Sequence, residues 1–285
     1  MVHPEVADAP YFLEILSNLK DKLDDTFHFI ISRLNTSEEI VQFHNCIKND
    51  KKNILILLSD EKGIIPPFLE KLYLVFRTYS NSNLVDNKKI FPVPCGFSFG
   101  YGGFFGNSDW KYKQTTKKLL VDRKYDIFYS GQFSQNRQDC INVLNNLKNN
   151  YNCIVNITDG FAKGFKLEEY YNFMSDSKIS IVPNGCVVPE SFRYFESFEN
   201  NCIVVTTFPR NTIYGNWFYN NSPAIFLEEW SQLTNELVDT LLRPDELEKF
   251  DIVNQKYFEH NISPLGISNY IYKQITIKEN DRGIL

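Results

Sequence analysis

Arg193 and Glu196 stand three residues apart in VPESFRYFESFE, between two apolar runs, Ile179–Val182 and Cys202–Val205. That spacing puts a cation and a carboxylate on one face of a helix, with Phe192, Phe195 and Phe198 on the neighbouring stripe. The turn Pro183–Gly185 follows the first run, and Pro189 and Ser191 stand near the helix start. Unpaired N–H groups and the positive dipole end at a helix N-terminus suit phosphate. In that setting Arg193 can contact a diphosphate, and Glu196 the hydroxyls of a ribose. The competing reading is an i,i+3 ion pair on an ordinary surface helix, and spacing leaves both open.

A second group lies upstream. The run Asp126–Tyr129 ends in Ser130, Gly131 and Gln132, and Arg137 follows at a helix start. A glycine at a strand–helix turn lets backbone approach a phosphate closely. Asp60 and Glu61 end the unbroken apolar run Asn53–Leu58, at a strand terminus where ligands gather. Either can act as a base for a hydroxyl nucleophile, though an Asx cap of the following turn is the plainer reading of Asp60. His28 is an alternative base but sits in an apolar strand, where a satisfied core histidine is the plainer reading. Arg77 is open between a cleft cation and a surface charge. Trp110 and Trp217 can stack a sugar or fill the core, whereas Trp230 lies in an apolar helical pattern and is read as packing. No Asp-x-Asp pair, G-x-S-x-G elbow, Walker loop or G-x-G-x-x-G fingerprint occurs.

The elements that must hold these groups alternate. Leucines at 13, 16, 19 and 23 predict a first helix, Phe27–Ile31 a strand, and Thr36 with Glu39 a capping box opening a second helix. Strands follow at Asn53–Leu58 and Lys89–Val93, with a further segment from Pro66 through Leu74–Arg77. The glycine- and aromatic-rich stretch Gly96–Gly106 reads equally as a surface loop or a substrate-lining one. Asn107–Arg123 is polar and is read as the linker. Alternation then restarts: strand Asp126–Tyr129, helix Arg137–Leu147, strand Cys153–Ile157, helix Leu167–Met174, and the strand–helix–strand around Arg193. Ala224–Leu227 reads as a last strand, with helices at Glu228–Leu242, Pro244–Tyr257 and Ile267–Ile275. Strand–helix alternation predicts parallel sheets in an α/β fold.

The second half resembles the signature region of exostosin-like glycosyltransferases, of bacterial type. The likeness rests on Ser177, Lys178, Ile179, Ile181, Pro183 and Gly185, then Ser191, Arg193, Phe195, Glu196 and Ser197, then Cys202, Ile203 and Val205. The family's glycine before that cysteine is Asn201 here, a residue that also tolerates a left-handed turn. The run LLSDE followed by FRTY is similar to the first domain of exostosin-like and fucosyltransferase-like enzymes. Likeness covers most of residues 53–275 and is densest at 126–206.

The resemblance implies a GT-B fold. Two Rossmann-like domains, 1–115 on the acceptor side and 116–257 on the nucleotide-sugar side, would face a cleft, with 258–285 crossing back to the first. It further implies a glycosyltransferase, inverting and metal-independent, that moves a sugar from a nucleotide-sugar donor, UDP-sugar favoured, to a glycan or glycolipid in surface polysaccharide synthesis. Ser130, Gly131, Gln132, Arg137, Pro183, Gly185, Ser191, Arg193 and Glu196 would bind the donor, and Asp60 and Glu61 would be catalytic. No cofactor and no metal are expected. A GDP-sugar-dependent fucosyltransferase-like enzyme and a catalytically silent nucleotide-sugar-binding scaffold are the alternatives.

Composition is that of a folded protein, with 43% hydrophobic and 23% charged residues. A net charge of −5 gives no overall basic field, so no nucleic-acid partner is expected. Six cysteines without a C-x-x-C pair fit a reduced interior. The start MVHPEVADAP has neither a basic nor an apolar leader region, and no run reaches the roughly 18 apolar residues of a membrane span. A cytoplasmic protein is expected, with peripheral membrane association left open.

Overall fold

The computed structural model describes residues 9–58, 63, 65–79, 87–97, 117–160, 163–185, 190–208 and 217–283. The chain forms two compact units, one of residues 1–111, 212–218 and 259–285, the other of 112–211 and 219–258. Each holds one parallel sheet, as strand–helix alternation leads one to expect.

In chain order the elements are α1 (Ala9–Leu19), β1 (Phe27–Ser32), α2 (Ser37–Cys46), β2 (Lys52–Leu57), β3 (Leu74–Arg77) and β4 (Ile90–Pro92). They continue with β5 (Tyr125–Gln132), α3 (Gln138–Leu147), β6 (Cys153–Thr158), α4 (Leu167–Ser175), β7 (Ser177–Val182), α5 (Phe192–Glu199) and β8 (Ile203–Thr206). The chain ends with α6 (Trp217–Asn220), β9 (Ile225–Phe226), α7 (Asn235–Leu241), α8 (Pro244–Asn261) and α9 (Pro264–Gly283).

The first sheet runs β1-β2-β3-β4 in sequence order, with Phe27 opposite Lys52 and Ile54 opposite Leu74. Ile54, Leu55 and Ile56 are fully buried, which is why β2 reads as an unbroken apolar run and not as an alternation. The capping box forms: the Thr36 hydroxyl accepts from the Glu39 N–H at 3.1 Å, and the Glu39 carboxylate accepts from the Thr36 N–H at 3.0 Å. Helix α9 belongs to this unit, where Glu279 accepts from Lys52 and from the Tyr73 hydroxyl, and the Tyr11 hydroxyl of α1 donates to the Ile262 carbonyl.

In the second unit the order is β6-β5-β7-β8-β9. Ile127, Tyr129, Ile179, Ile181, Ile203 and Val205 pack on one face against α3, α7, α8 and the buried Trp230. Phe128 packs on the other face with Met174 and Cys202. Alternate residues thus face opposite layers. The described end of the stretch read as a linker is built into this unit: Leu120 is buried, and Arg123 donates to the carbonyls of Ser177 and Asn200, both at 2.8 Å. Asn201 has φ +58°, so the left-handed turn between α5 and β8 is real, and asparagine fills it.

Two helix readings are corrected. The segment read as one helix, Glu228–Leu242, breaks into a single turn at Trp230–Gln232 and α7, because the Thr234 hydroxyl caps α7 by accepting from the Leu237 N–H. The closing helix extends well beyond Ile267–Ile275 on both sides. Among the described residues no helix is long and apolar enough to cross a membrane.

Candidate functional site

Strand order locates the site. From β5 the chain crosses through α3 to β6 on one side, then returns through α4 to β7 on the other. Where neighbouring parallel strands send their connections in opposite directions, a crevice opens beyond their carboxyl ends, and ligands bind there. In the second sheet that point lies between β5 and β7. Among the described residues the first sheet, in simple sequence order, has no such reversal.

Beyond those ends stand Ser130, Gly131 and Gln132 on β5, and Pro183, Asn184 and Gly185 after β7. Arg193 projects from the first turn of α5 across to β5. A Cβ built on Gly131 would lie 2.6 Å from Arg193 Nη2, so the bare glycine is what admits the guanidinium. On the same strand the Tyr129 ring lies 5.4 Å from the guanidinium carbon. Arg193 Nε and Nη1 are shielded from solvent and have no hydrogen-bond partner. Burial acts against the charge on Arg193, but Tyr170, Tyr129 and Glu196 around it outweigh that and raise its pKa.

Helix α5 is not the ordinary surface helix of the competing reading. Tyr194, Phe195, Glu196, Ser197, Phe198 and Glu199 are all buried, while Phe192, read as part of the buried stripe, is half-exposed. Glu196 accepts from the Tyr170 hydroxyl at 3.2 Å. Ser191 is the N-cap of α5 and makes no side-chain cap bond. The Tyr194 N–H in this first turn donates to the Ser191 carbonyl at 3.0 Å.

Arg137 is a backbone clamp. Its Nε and Nη2 donate to the Asn184 carbonyl at 3.1 and 2.9 Å, and Nη1 donates to the Gln132 carbonyl at 3.1 Å. It ties the loop after β5 to the loop after β7 and so sets the width of the crevice. Gly185 joins the same tie, its carbonyl accepting from Asn136 Nδ2 at 3.3 Å. Pro183 is buried, and Ser130 accepts from Asn156 Nδ2 at 3.2 Å.

Asp60 and Glu61 lie outside the described residues, as do Trp110 and the side chain of Trp217. His28 Nε2 lies 3.1 Å from the Cys46 carbonyl, an acceptor, so the ring donates there as a satisfied structural group. Arg77 is fully buried, neither a surface charge nor an open cation. Sequence reasoning missed Tyr129, Tyr170 and Asn184, whose buried Oδ1 has no hydrogen-bond partner. Burial pushes the Cys140 thiol up to about 12, against the pull of Arg193 and Arg137, so it stays protonated and inert. No group of three or more His, Cys, Asp or Glu among the described residues can hold a metal ion.

A scan against protein-family models found no match to the chain, and a search of curated proteins found none. Among solved structures it is similar to a GtfA/B complex, at TM-score 0.46 and 7% identity, covering 94% of this chain and 61% of that one. AviGT4, a glycosyltransferase involved in avilamycin A biosynthesis, matches at TM-score 0.47 and 8% identity, covering 93% and 88%. A glycosyltransferase from Rickettsia africae ESF-5 matches at 0.44 and 16% identity, covering 96% and 82%. The chain thus spans about three-fifths of the first of these.

Proposed function

We propose that the protein is a glycosyltransferase whose second unit binds the diphosphate of a nucleotide-sugar, UDP-sugar favoured. The observation that carries this reading is the Arg193 guanidinium, set against Gly131 at the strand-order reversal with two N–H groups unpartnered. A partly buried cation with open donors matches a phosphate oxygen in charge and geometry. As the bond to the sugar breaks, negative charge collects on the departing diphosphate. A donor already fixed beside it, the Arg193 guanidinium, lowers the barrier without reorganising. The remaining assignments extend this: Glu196 on the ribose side, Asp60 or Glu61 taking the proton from a glycan or glycolipid hydroxyl, inversion, and no metal.

Calorimetric titration with UDP, GDP, CMP and TDP tests the reading. One of the four is expected to bind, and Arg193→Ala should weaken it by about 30-fold, the equivalent of about 2 kcal/mol for a lost charge-assisted bond. Unchanged affinity in that variant contradicts the assignment. Asp60→Ala and Glu61→Ala separate an enzyme from a silent scaffold. A transferase using either as base retains nucleotide binding and loses turnover of the matching nucleotide-sugar.

A further inference from the structure

Tyr170 lies on α4, the helix that carries the chain across β5, and its hydroxyl reaches both charged groups of α5. It donates to Glu196 Oε2 at 3.2 Å and acts electrostatically on the Arg193 guanidinium, raising its pKa. The polarity of this bridge is fixed. A carboxylate accepts, a guanidinium donates, and a phenol has one proton to give, so the proton points at Glu196 and the oxygen lone pairs at Arg193. The ring is held edge-on to Phe128, with centroids 5.2 Å apart and planes at 88°. Burial first, and the Glu196 charge second, keep the hydroxyl protonated.

Residues 193 and 196 are one helical turn apart, the spacing at which an arginine and a glutamate close into a direct ion pair. Such a pair would consume the donors that a phosphate needs. We infer that Tyr170 is a positioning residue, whose hydroxyl spaces Arg193 from Glu196 so that the guanidinium keeps Nε and Nη1 for a ligand anion. Tyr129 and Gly131 hold the guanidinium from the β5 side, and Tyr170 supplies the restraint from α4. This inference rests on the reading of the site as a diphosphate pocket.

The test uses the full chain titrated with inorganic pyrophosphate, which has no ribose for Glu196 to contact, and with UDP in parallel. Tyr170→Phe is expected to weaken pyrophosphate binding about tenfold, because Arg193 then swings onto Glu196. Adding Glu196→Gln to that variant should restore most of the loss, since a neutral amide does not capture the guanidinium. The double variant keeps the shape of both side chains. Thermal midpoints without ligand report any loss of fold. Wild-type affinity in Tyr170→Phe overturns the inference, as does a loss that Glu196→Gln fails to restore. In both cases Arg193→Ala must still weaken binding for the diphosphate reading to stand. If Arg193→Ala binds as wild type, or the wild type binds neither ligand, the reading and the inference fall together.

Discussion

Gly131 acts by what it lacks. Its φ lies outside the left-handed region, so an alanine there meets no backbone strain, and the obstacle is the Arg193 guanidinium alone, 2.6 Å from the added methyl. The guanidinium is the end of a flexible side chain and can retreat, so the fold tolerates the change. Alanine is also the better strand residue, by about 0.5–1 kcal/mol. Gly131→Ala is therefore expected to keep or raise the thermal midpoint while weakening the preferred nucleotide about tenfold. A drop in both, or in stability alone, would mean that the glycine serves packing. At this scale the sequence was partly legible. Arg193, Glu196 and Gly131 stand out by type and place, but Tyr129 and Tyr170 look like any other aromatic in an amphipathic pattern. Their roles depend on contacts between elements 26 and 64 residues away along the chain, and no spacing rule reports those.

Short elements are held by their ends. The Glu39 carboxylate is buried, which alone would raise its pKa. Its bonds from the Arg33 guanidinium and from the Asn35 and Thr36 N–H groups more than offset this and hold it below its ordinary 4.5. A carboxyl depressed in the folded state adds stability above its unfolded pKa and loses it as pH falls through the folded value. Glu39→Gln should therefore lower the thermal midpoint at pH 7, with the deficit shrinking as pH falls below about 4. Equal deficits at both pH values would show that the carboxylate charge contributes nothing. This capping box was readable from Thr36 and Glu39, since it is a local pattern. The break before α7 was not, because apolar residues continue through Trp230 and Leu233 and hide the Thr234 cap. Arg137 stands at a strand–helix turn that suits a phosphate, and its bonds to the Gln132 and Asn184 carbonyls depend on loop conformation that the sequence does not report.

Across the whole molecule, strand–helix alternation sufficed to read two parallel sheets, since a parallel strand needs a crossover and an apolar run marks one buried on both faces. Strand order was beyond reach. It depends on which edge of β5 each later strand joins, and the apolar runs of β6 and β7 do not differ in any way that reports it. Yet order is what separates the two sheets, because among the described residues only the second reverses. The claim that follows is spatial: an activated sugar's diphosphate sits beyond the ends of β5 and β7, against Arg193. A crystal structure with UDP bound tests it most directly. The account predicts phosphate oxygens within hydrogen-bonding distance of Arg193, with Gly131 beneath them. A well-ordered nucleotide elsewhere, with Arg193 still out of its reach, would contradict it.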